Sequence, residues 1–556
     1  MLRQLVSTHL INQVKSKCWV NQLPHISMRG LSTDVGNTST NTNTNSENRF
    51  SLNRKYPLAK LATNLFWRSV VVTKYVYFLR LYLSRYEGLF DWWTKRASIA
   101  MYHDTLTSTP AYMNHMAKSQ SKPNYWNDIE ETNKDNYIKP NSLPDLMRYG
   151  LIPYKGQIDT SSGTTSGVPT LWVRDVIESD VPNRLMECMK YLLFKNDPVI
   201  CINTYGTAVW GTGILASKAM GEISLSYITG PDIGKVYDIL KEFKRTGLNR
   251  PIIVFGLPTM MKYIVDNSLS YNINLGEFDL HAVVGGEAFS ESMRDNIIDG
   301  GFRRCFSCYG ATDLDITLGV ETPFEISLRK LCIENHNVRT ELFGPNVEVP
   351  MIFNYDPLNY FVEEDLNTNE LLYTCLRRDK ASPRIRYNLK DVGKLLKTSD
   401  VLKVLKKHNI TNIKPLTHLP LICIWGRTNY GVSYHGTNIS IIELEKAISR
   451  DPYLSKMIKQ YGICVCEDEH NKKHFVYLTE MSMQNTDMNE HELLEKINTG
   501  MKSVSQDYAA MVEGGKMYDA FNQPTIKIYS QGQSPMSLYS MKYPNSKTKR
   551  VFSSLD

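Results

Sequence analysis

The hydrophobic positions of this chain fall into short apolar runs between residues 151 and 424, and a segment of helical length follows each run. Clear examples of the runs are 198–202, 251–255 and 280–284. Each ends at Gly, Asn or another turn former, and residues 291–298 show the helical periodicity that follows the last of them. A strand and then a helix, repeated in this way, predicts an α/β fold in which a mostly parallel sheet is covered by helices.

Three loops of this predicted sheet are candidates for a binding site. They begin at Asn203, Gly256 and Gly285, directly after the three apolar runs. Because parallel strands end at the same edge of a sheet, these loops are expected to lie side by side. Ligands of open α/β sheets bind at that edge. The pattern therefore predicts where a site lies before it says what binds there.

The chain on either side of this region has different patterns, which predict separate segments. Residues 49–150 have the pattern of a helical lead-in that packs on a large domain at 151–426, and a smaller α+β domain follows at 427–556. The smaller domain is predicted to contain strands at 463–467 and 474–479 and a helix near 490–501. This organisation places the three candidate loops, which begin at Asn203, Gly256 and Gly285, in the large domain.

The first 48 residues carry no pattern of packed structure. Residues 1–33 contain no Asp or Glu and mix basic residues with hydroxyl side chains, which is typical of a mitochondrial transit peptide. Residues 36–48 are a polar low-complexity run with nothing to bury. We expect import into the mitochondrial matrix, with a disordered tail on a cytoplasmic protein as the alternative.

One long apolar stretch, at residues 62–83, raises the question of a membrane. Arg68, Lys74 and Arg80 interrupt it, and charges at the centre of a bilayer are costly, so we do not predict a transmembrane span. The apolar residues recur at helical spacing opposite the basic ones. The stretch is therefore expected to pack on the body of the protein, with peripheral contact on a membrane surface as the alternative.

Composition and charge exclude several classes of protein. Hydrophobic residues make up 42% and charged residues 22%, which is ordinary globular usage. The net charge is 64 − 57 = +7 and is spread along the chain without a dense basic stripe, so a nucleic-acid partner is not predicted. The ten cysteines include two close pairs, Cys305/Cys308 and Cys464/Cys466, without the second ligand pair of a structural zinc site. Reduced thiols are expected.

The most informative segment is 159–170, in which seven hydroxyl side chains and two glycines lie close together. Such a sequence cannot pack a core, but its backbone N–H and side-chain O–H groups can surround a triphosphate. It lacks the Gly-Lys-Ser/Thr ending of a P-loop. A phosphate-binding loop and a solvated Ser/Thr linker both fit the composition, and the apolar triplet 171–173 directly after it favours a loop inside the fold.

Three further segments carry residues suited to nucleotide binding. At 283–288 a predicted strand meets two glycines and an acid, which lets a flat ring approach the backbone. At 308–313 an aromatic, a turn glycine, a hydroxyl and a carboxylate follow one another, a set that can stack on a base, bind phosphate and hold a divalent cation. In 385–393, Asp391 has the chemistry to accept both hydroxyls of a ribose. Each segment is weak evidence by itself.

In their order and spacing these segments resemble those of the adenylate-forming enzymes, the superfamily of acyl-CoA synthetases, and within it the phenylacetate–CoA ligase branch. The resemblance runs from about Met101 to the C-terminus. It implies a large adenylation domain and a smaller, mobile C-terminal domain. It implies that ATP or AMP contacts the following residues: Ser161, Ser162, Gly163, Thr164, Thr165, Gly167, Gly285, Gly286, Glu287, Tyr309, Gly310, Asp391 and Arg427.

The same resemblance implies catalytic residues and an acyl pocket. The terminal segment 546–551 is similar to the family's Gly-Lys-Ala-x-Arg-Val, which makes Lys547 the lysine that drives adenylation. Thr312 and Asp313 match the family's Ser/Thr-Glu pair, so Asp313 is implied as the magnesium ligand. The implied acyl pocket consists of Tyr205, Gly206, Trp210 and Gly211, for which plain core packing is the alternative.

The implied activity is the activation of a small-molecule carboxylic acid by ATP and Mg2+, giving an acyl adenylate that coenzyme A then converts to a thioester. This chain departs from the branch at Ser166, which is an extra residue, at Asp313, which replaces Glu, and at 429–430, which lack the acidic hinge pair. Two alternatives therefore stay open. One is transfer to an amine or a carrier-protein thiol, and the other is a non-catalytic relative that acts as a binding module.

Overall fold

The computed structural model describes residues 50–52, 84, 86–118, 123–161, 170–207, 211–286, 288–345, 347, 349–427, 431–435, 437–481, 489–515, 522–542 and 550–554. The predicted transit peptide, the low-complexity run at 36–48 and the apolar stretch at 62–83 lie outside these residues. Within the described part of the chain, no helix combines the length and the apolar character that crossing a membrane requires.

Five parallel strands carry the loops that the sequence singles out. They are β3 (Ile200–Asn203), β4 (Leu225–Ile228), β5 (Ile252–Gly256), β6 (Leu280–Gly285) and β7 (Phe302–Tyr309), in the spatial order β4-β3-β5-β6-β7. β3, β5 and β6 consist mainly of buried apolar residues, as strands covered on both faces should. The predicted strands and their parallel pairing are confirmed.

The same sheet continues beyond β7 in antiparallel pairings, which the sequence patterns do not predict. The further strands are β8 (Gly319–Val320), β9 (Met351–Tyr355), β10 (Tyr360–Glu364), β11 (Glu370–Cys375), β12 (Tyr387–Leu396) and β13 (Leu421–Arg427). They extend the sheet in the order β7-β8-β9-β13-β12-β11-β10, so that eleven described strands form one sheet. β12 carries Asp391, and the antiparallel half thus supplies the candidate ribose ligand.

Helices cover this sheet, which confirms the predicted α/β class. They are α3 (Asp180–Phe194), α4 (Gly211–Gly221), α5 (Ile233–Thr246), α6 (Pro258–Asn267), α7 (Glu291–Asp299), α8 (Pro323–Glu334), α9 (His336–Phe343) and α10 (Thr398–Lys407). Apolar residues of α3 and α4 pack on β3 and β5 in one core cluster. Those of α8, α9 and α10 pack on β9 and β13 in another. Helix α7 confirms the periodicity noted at 291–298.

The lead-in consists of α1 (Glu87–Ser108) and α2 (Pro110–Lys118), followed by short helical turns that include Lys134–Ile138. A separate hairpin comes next, in which β1 (Gly156–Ser161) pairs antiparallel with β2 (Thr170–Asp175). The hydroxyl-rich segment joins these two strands. The apolar triplet 171–173 that follows the segment lies in β2, so the segment is a connection inside the fold.

The C-terminal part forms a second sheet with its own core. Its elements are β14 (Gly431–Tyr434), β15 (Thr437–Ser440), α11 (Ile441–Arg450), α12 (Pro452–Met457), β16 (Ile458–Glu467), β17 (Lys473–Met481), α13 (Glu490–Val504), α14 (Gln506–Gly515), β18 (Thr525–Tyr529), α15 (Pro535–Lys542) and β19 (Val551–Phe552). The sheet order is β18-β17-β16-β19. Helices α11, α13 and α14 bury their apolar residues against β16 and β17. The α+β pattern predicted from the sequence is confirmed for these elements.

Candidate functional site

The three predicted loops do start at one edge of the sheet. Strand pairing places Asn203 beside Phe255, Gly256 beside Val284 and Gly285 beside Cys308. The residue after β3, Thr204, donates from its hydroxyl to the carbonyl of Phe255 at 2.6 Å. A side chain at Gly256 would place its Cβ 2.0 Å from that hydroxyl oxygen, so glycine is required there. The carboxyl ends of β3, β5 and β6 are thus adjacent, as predicted.

Tyr205 joins the predicted acyl pocket to the predicted adenine site. Its phenol donates to the carbonyl of Gly285 at 3.3 Å, across 80 residues of chain. Gly206, the next residue, has its carbonyl 2.3 Å from where a Cβ on Gly213 would lie, so the loop packs tightly on α4, which begins at Gly211. Trp210 lies outside the described residues. Gly206 is therefore adjacent to the first turn of α4, the turn that contains Gly211.

Tyr309 and Asp391 meet in a direct hydrogen bond. The phenol of Tyr309 donates to Asp391 Oδ2 at 2.6 Å, and the phenol of Tyr373 lies 3.0 Å from the same phenol oxygen. Burial, and then the negative charge of Asp391, hold the pKa of Tyr309 well above its ordinary value, so it stays a donor. Two separately predicted nucleotide residues, 82 positions apart, thus form one contact.

The turn that carries Thr312 and Asp313 depends on the glycine before it. A Cβ on Gly310 would lie 2.2 Å from the carbonyl oxygen of Ile316, because the chain folds back on itself there. The backbone N–H of Ala311 donates to the carbonyl of Asp315 at 2.9 Å and closes the turn. This geometry places Asp313 beyond the end of β7, next to the edge where the candidate loops lie.

The carboxylate of Asp313 has a hydrogen-bond donor beside one oxygen and an ammonium group near the other. Tyr387, on β12, donates from its phenol to Asp313 Oδ2 at 2.7 Å. Lys134 places its ammonium 3.9 Å from Asp313 Oδ1, and the Asp313 side chain is 15% exposed. The Lys134 ammonium also lies 5.7 Å from the centre of the Trp172 ring. Sequence reasoning missed Lys134, because it stands in a polar turn of the lead-in without any motif that marks it.

The hairpin β1–β2, whose strands flank the hydroxyl-rich segment in the chain, lies against the turn that carries Asp313. Ser161 pairs with Thr170 at its open end, so the two ends of the segment are adjacent strand residues. Arg174 on β2 donates to the carbonyl of Thr312 at 2.6 Å. The hairpin that carries the predicted phosphate loop is therefore bonded directly to the turn that carries Asp313.

Several predicted site residues lie outside the described part of the chain, and their contacts stay predictions. They are Ser162, Gly163, Thr164, Thr165, Gly167, Trp210, Glu287 and Lys547. For Ser161 and Arg427 only the backbone is described, as the end of β1 and of β13. Strand pairing sets Arg427 opposite Asp391. The backbone of this predicted nucleotide residue is thus adjacent to the candidate ribose ligand.

The donors near Asp313 limit how a metal could be held. Among the described residues no group of three or more His, Cys, Asp or Glu side chains converges on a point. Asp313 is a single carboxylate with one oxygen bonded to Tyr387. Mg2+ usually takes only one or two protein carboxylates, with water and substrate phosphates completing its octahedron. The residues present therefore fit a magnesium ion that arrives with a nucleotide, and they do not form a metal site alone.

The C-terminal part contacts the loop that follows β6. The hydroxyl of Ser433, on β14, donates to the carbonyl of Gly286 at 3.3 Å. Lys473, at the start of β17, donates from its ammonium to the carbonyl of Ala288 at 2.6 Å. The His435 ring stacks on Tyr263 with 6.1 Å between the ring centres. In this arrangement the β14–β15 hairpin borders the candidate site.

Comparison with solved structures identifies the fold. A crystal structure of 2-hydroxyisobutyryl-CoA ligase with 2-HIB-AMP and CoA, in the thioesterification state, aligns with 83% of this chain and 88% of its own chain. The identity is 13% and the TM-score 0.54. This chain has the fold of an adenylate-forming ligase. The predicted superfamily fold is confirmed, whereas the phenylacetate–CoA ligase branch stays a prediction.

Other solved structures align less well with this chain. An open conformation of the same ligase covers 83% of this chain and 92% of its own, at 12% identity and a TM-score of 0.44. The amide bond synthetase McbA from Marinactinospora thermotolerans covers 71% and 67%, at 11% identity and a TM-score of 0.43. No protein-family model matches the sequence, and no curated protein does.

Proposed function

We propose that this chain activates a carboxylic acid with ATP to an acyl adenylate and then transfers the acyl group to the thiol of coenzyme A. The observation that carries the proposal is that the turn of Asp313, the strand of Asp391 and the β1–β2 hairpin meet at one edge of the sheet. Asp391 and Tyr309 are bonded to each other, and the hairpin β1–β2 is bonded to the turn of Asp313. An adenylate-forming fold is the setting in which this arrangement has a use.

The first half-reaction joins two anions, so its main requirement is neutralisation of charge. An oxygen of the carboxylate attacks the α-phosphorus of ATP, the bond to the β-phosphate breaks, and pyrophosphate leaves with that bond's electrons. Asp313 would hold Mg2+ together with phosphate oxygens, and the metal would supply positive charge there. Lys134 adds an ammonium on the same side, and Lys547 is proposed as the second.

The nucleotide is proposed to lie between β6, β7 and β12. Asp391 offers a carboxylate to the ribose, with Tyr309 fixing its orientation through the 2.6 Å hydrogen bond. The backbone at Gly285 and Gly286 provides a side-chain-free surface for the adenine ring, and the side chain of Glu287 is proposed to contact it. The residues of segment 161–167 are proposed to bind the β- and γ-phosphates through N–H and O–H groups.

The acyl chain is proposed to lie beside Tyr205, Gly206, Trp210 and Gly211. The contact between Tyr205 and Gly285 sets one wall of this space next to the proposed adenine surface. Glycine leaves room, and the aromatic rings give an apolar wall, so we propose an aromatic or medium aliphatic acid as substrate. The further assignments to the phenylacetate–CoA ligase branch, to a large domain at 151–426 with a mobile domain at 427–556, and to the mitochondrial matrix belong to the same proposal.

A hydroxylamine-trapping screen tests this function. The full-length protein is incubated with ATP, Mg2+ and a panel of carboxylic acids, and hydroxamate formation reports the acyl adenylate whatever the final acceptor is. We expect product with at least one acid, no product without Mg2+, and loss of product in Asp313→Asn. The matched control is Asp295→Asn, because Asp295 is a half-exposed carboxylate paired with Lys330 away from the site.

The outcomes of that screen separate the alternatives. Consumption of coenzyme A with the same acid supports the complete proposal. Hydroxamate without consumption of coenzyme A overturns the thiol assignment and selects an amine or a carrier-protein thiol as acceptor. Absence of hydroxamate with every acid, in a protein that is folded and binds ATP, contradicts adenylation and leaves the binding-module reading.

A further inference from the structure

A buried arginine on β2 bonds to both sides of the turn that carries Asp313. Arg174 donates from Nη2 to the carbonyl of Thr312 at 2.6 Å and from Nη1 to the carbonyl of Leu314 at 3.0 Å. These two residues flank Asp313 directly in the chain. The two branches of one planar guanidinium group therefore hold the backbone on both sides of the candidate metal ligand.

The same arginine is fixed on the side of the hairpin. Its Nε donates to Asp159 Oδ2 at 2.5 Å, and Gln157 bonds to the other oxygen of that carboxylate. Asp159 lies on β1, where it pairs with Trp172 of β2. Arg174 is two residues beyond Trp172 on β2, so both strands hold the guanidinium. Asp159 is 1% exposed and Arg174 6% exposed. The bonds are thus shielded from water, and each is worth more than a surface contact.

The charge of Arg174 is retained in this environment. Burial acts to lower its pKa, but the carboxylates of Asp315, Asp159 and Glu178 outweigh burial and raise the pKa above the ordinary value. The Asp315 carboxylate lies 3.8 Å from Nη1. A permanently charged, five-donor group is the side chain that can serve a carboxylate and two carbonyls at once, and lysine cannot reproduce that geometry.

We propose that Arg174 is a positioning residue that couples the β1–β2 hairpin to the Thr312–Leu314 turn, so that the two strands of the hairpin and the Asp313 carboxylate keep a fixed relation to each other. This inference rests on the proposed function in so far as it concerns catalysis. The physical reason is that the phosphates and the metal must be held by two separate chain segments at once. A displacement of about 1 Å between such segments can cost about 100-fold in rate.

The test compares Arg174→Lys with a matched control, Arg294→Lys. Arg294 is also a buried arginine that binds two carboxylates and one backbone carbonyl, those of Glu291, Glu321 and Cys305, and neither a site carboxylate nor the hairpin is among its partners. Both full-length variants are measured for thermal unfolding, for backbone hydrogen exchange, and for acid-dependent pyrophosphate release as a function of Mg2+ concentration.

For Arg174→Lys we expect faster hydrogen exchange in 156–175 and in 310–316 together. We also expect a fall of about 10- to 100-fold in kcat for pyrophosphate release and a several-fold rise in the Mg2+ concentration that gives half the maximal rate. Arg294→Lys is expected to lower the melting temperature without moving the exchange of those two segments or the Mg2+ dependence. If Arg174→Lys does not fold, Asp159→Asn, which keeps the volume and removes the anchoring charge, is expected to show the same pattern in weaker form.

Two results would overturn the inference. One is unchanged exchange of the 310–316 turn in Arg174→Lys, since the two carbonyl bonds are then not what holds it. The other is an equal shift of the Mg2+ dependence in Arg294→Lys, which would make the effect one of general stability. The exchange measurement needs no catalytic activity, so it decides the coupling even if the wild-type protein releases no pyrophosphate and the proposed function fails.

Discussion

The carboxylate of Asp313 lies between a phenol that donates to it and an ammonium that faces it. Tyr387 fixes one oxygen at 2.7 Å, and Lys134 stands 3.9 Å from the other. Lys134 is therefore placed to neutralise charge when a triphosphate and its metal approach Asp313.

Replacement of Lys134 by Ala is expected to lower kcat/KM for MgATP in pyrophosphate release by at least about tenfold, a loss of roughly 1.4 kcal/mol of transition-state stabilisation. The control is Lys139→Ala, at the C-cap of the short helical turn that begins with Lys134, where the ammonium pairs with the exposed Asp135 carboxylate at 2.7 Å. Its kinetics should match the wild type. An unchanged rate in Lys134→Ala would show that the ammonium does not act on the nucleotide.

A buried carboxyl group outside the site gives a prediction about pH. Glu325, in the first turn of α8, is 3% exposed, and burial raises its pKa from 4.5 to about 7, against hydrogen bonds from Thr322 that act to lower it. Between about pH 4.5 and 7 the folded protein keeps a proton that the unfolded chain releases. The free energy of unfolding contributed by this group therefore falls as the pH rises through that interval.

Glu325→Gln removes this dependence and keeps an oxygen that can accept from Thr322. The unfolding free energy of the variant, relative to the wild type, is expected to rise by on the order of 1–3 kcal/mol from pH 4.5 to pH 7 and to change little above. Chemical denaturation at several pH values measures it, with Glu334→Gln at the exposed end of the same helix as control. A difference that is constant with pH would contradict a raised pKa.

For single residues, the sequence predicted which side chains are suited to bind a nucleotide better than it predicted which residues they contact. Tyr309 and Asp391 were both predicted nucleotide residues, but nothing in their spacing told that they bond to each other. Arg174 follows the apolar triplet 171–173, and no motif in the sequence marks it. Its burial follows from Asp159 across the hairpin, a pairing that the sequence pattern did not predict.

Among the elements, the turn at 310–316 has a backbone that leaves no room for a side chain at Gly310. A Cβ at Gly310 would lie 2.2 Å from the carbonyl oxygen of Ile316, and the contact is with backbone, which cannot rotate away. Opening the turn to relieve it would move Thr312 and Asp313 away from Arg174 and Tyr387. The position of the candidate metal ligand Asp313 thus depends on glycine at position 310.

Gly310→Ala is accordingly expected to abolish acid-dependent pyrophosphate release and to lower the unfolding free energy by about 1–3 kcal/mol. The control is Gly88→Ala, in the first turn of α1, where a Cβ meets nothing within 4 Å. That variant should keep its activity and be equally stable or slightly more stable, because alanine favours the helix. Full activity in Gly310→Ala would show that the turn adapts without cost.

The predicted elements were those with a clear hydrophobic period. The parallel strands β3, β5 and β6 are buried apolar runs of ordinary length, and the pattern found all three. The antiparallel half was missed for physical reasons: β8 has two residues, and the apolar residues of β11 lie among the buried polar residues Glu370 and Thr374, so its sequence does not form a continuous apolar run. β1 was missed because Gly, Asp and Ser are poor strand formers.

For the whole molecule, the account requires that the C-terminal part contributes to one half-reaction more than to the other. The resemblance implies that Lys547 drives adenylation, and the described contacts place β14 and β17 against the loop that follows β6. Lys547→Ala is expected to slow acyl-adenylate formation by orders of magnitude and to leave thioester formation from a supplied acyl adenylate largely intact.

Rapid-quench assays of the two half-reactions measure this separation, and Lys549→Ala serves as the control in the same terminal segment. An equal loss in both steps would contradict the role assigned to Lys547. Such a result would leave the site on the large sheet in place, since no described residue of that site lies in the terminal segment.

The architecture as a whole was predictable because its sequence signals, the alternation of strands and helices and the order of four short motifs, extend over hundreds of residues. The identity of the carboxylic acid substrate was not predictable, because substrate specificity depends on the shape of a pocket that a few side chains enclose. Tyr205 shows the difference: its place in the chain predicted a pocket wall, whereas its hydrogen bond to Gly285 appeared only in the folded structure.

Acid-dependent exchange of labelled pyrophosphate into ATP decides whether this protein forms an acyl adenylate, since it requires the nucleotide, the metal and the acid to meet at one site. The full-length protein is predicted to catalyse exchange with at least one carboxylic acid, and to lose it without acid, without Mg2+ or with Asp313→Asn. Absence of exchange with every acid of a broad panel, in folded protein that binds ATP, would contradict the account.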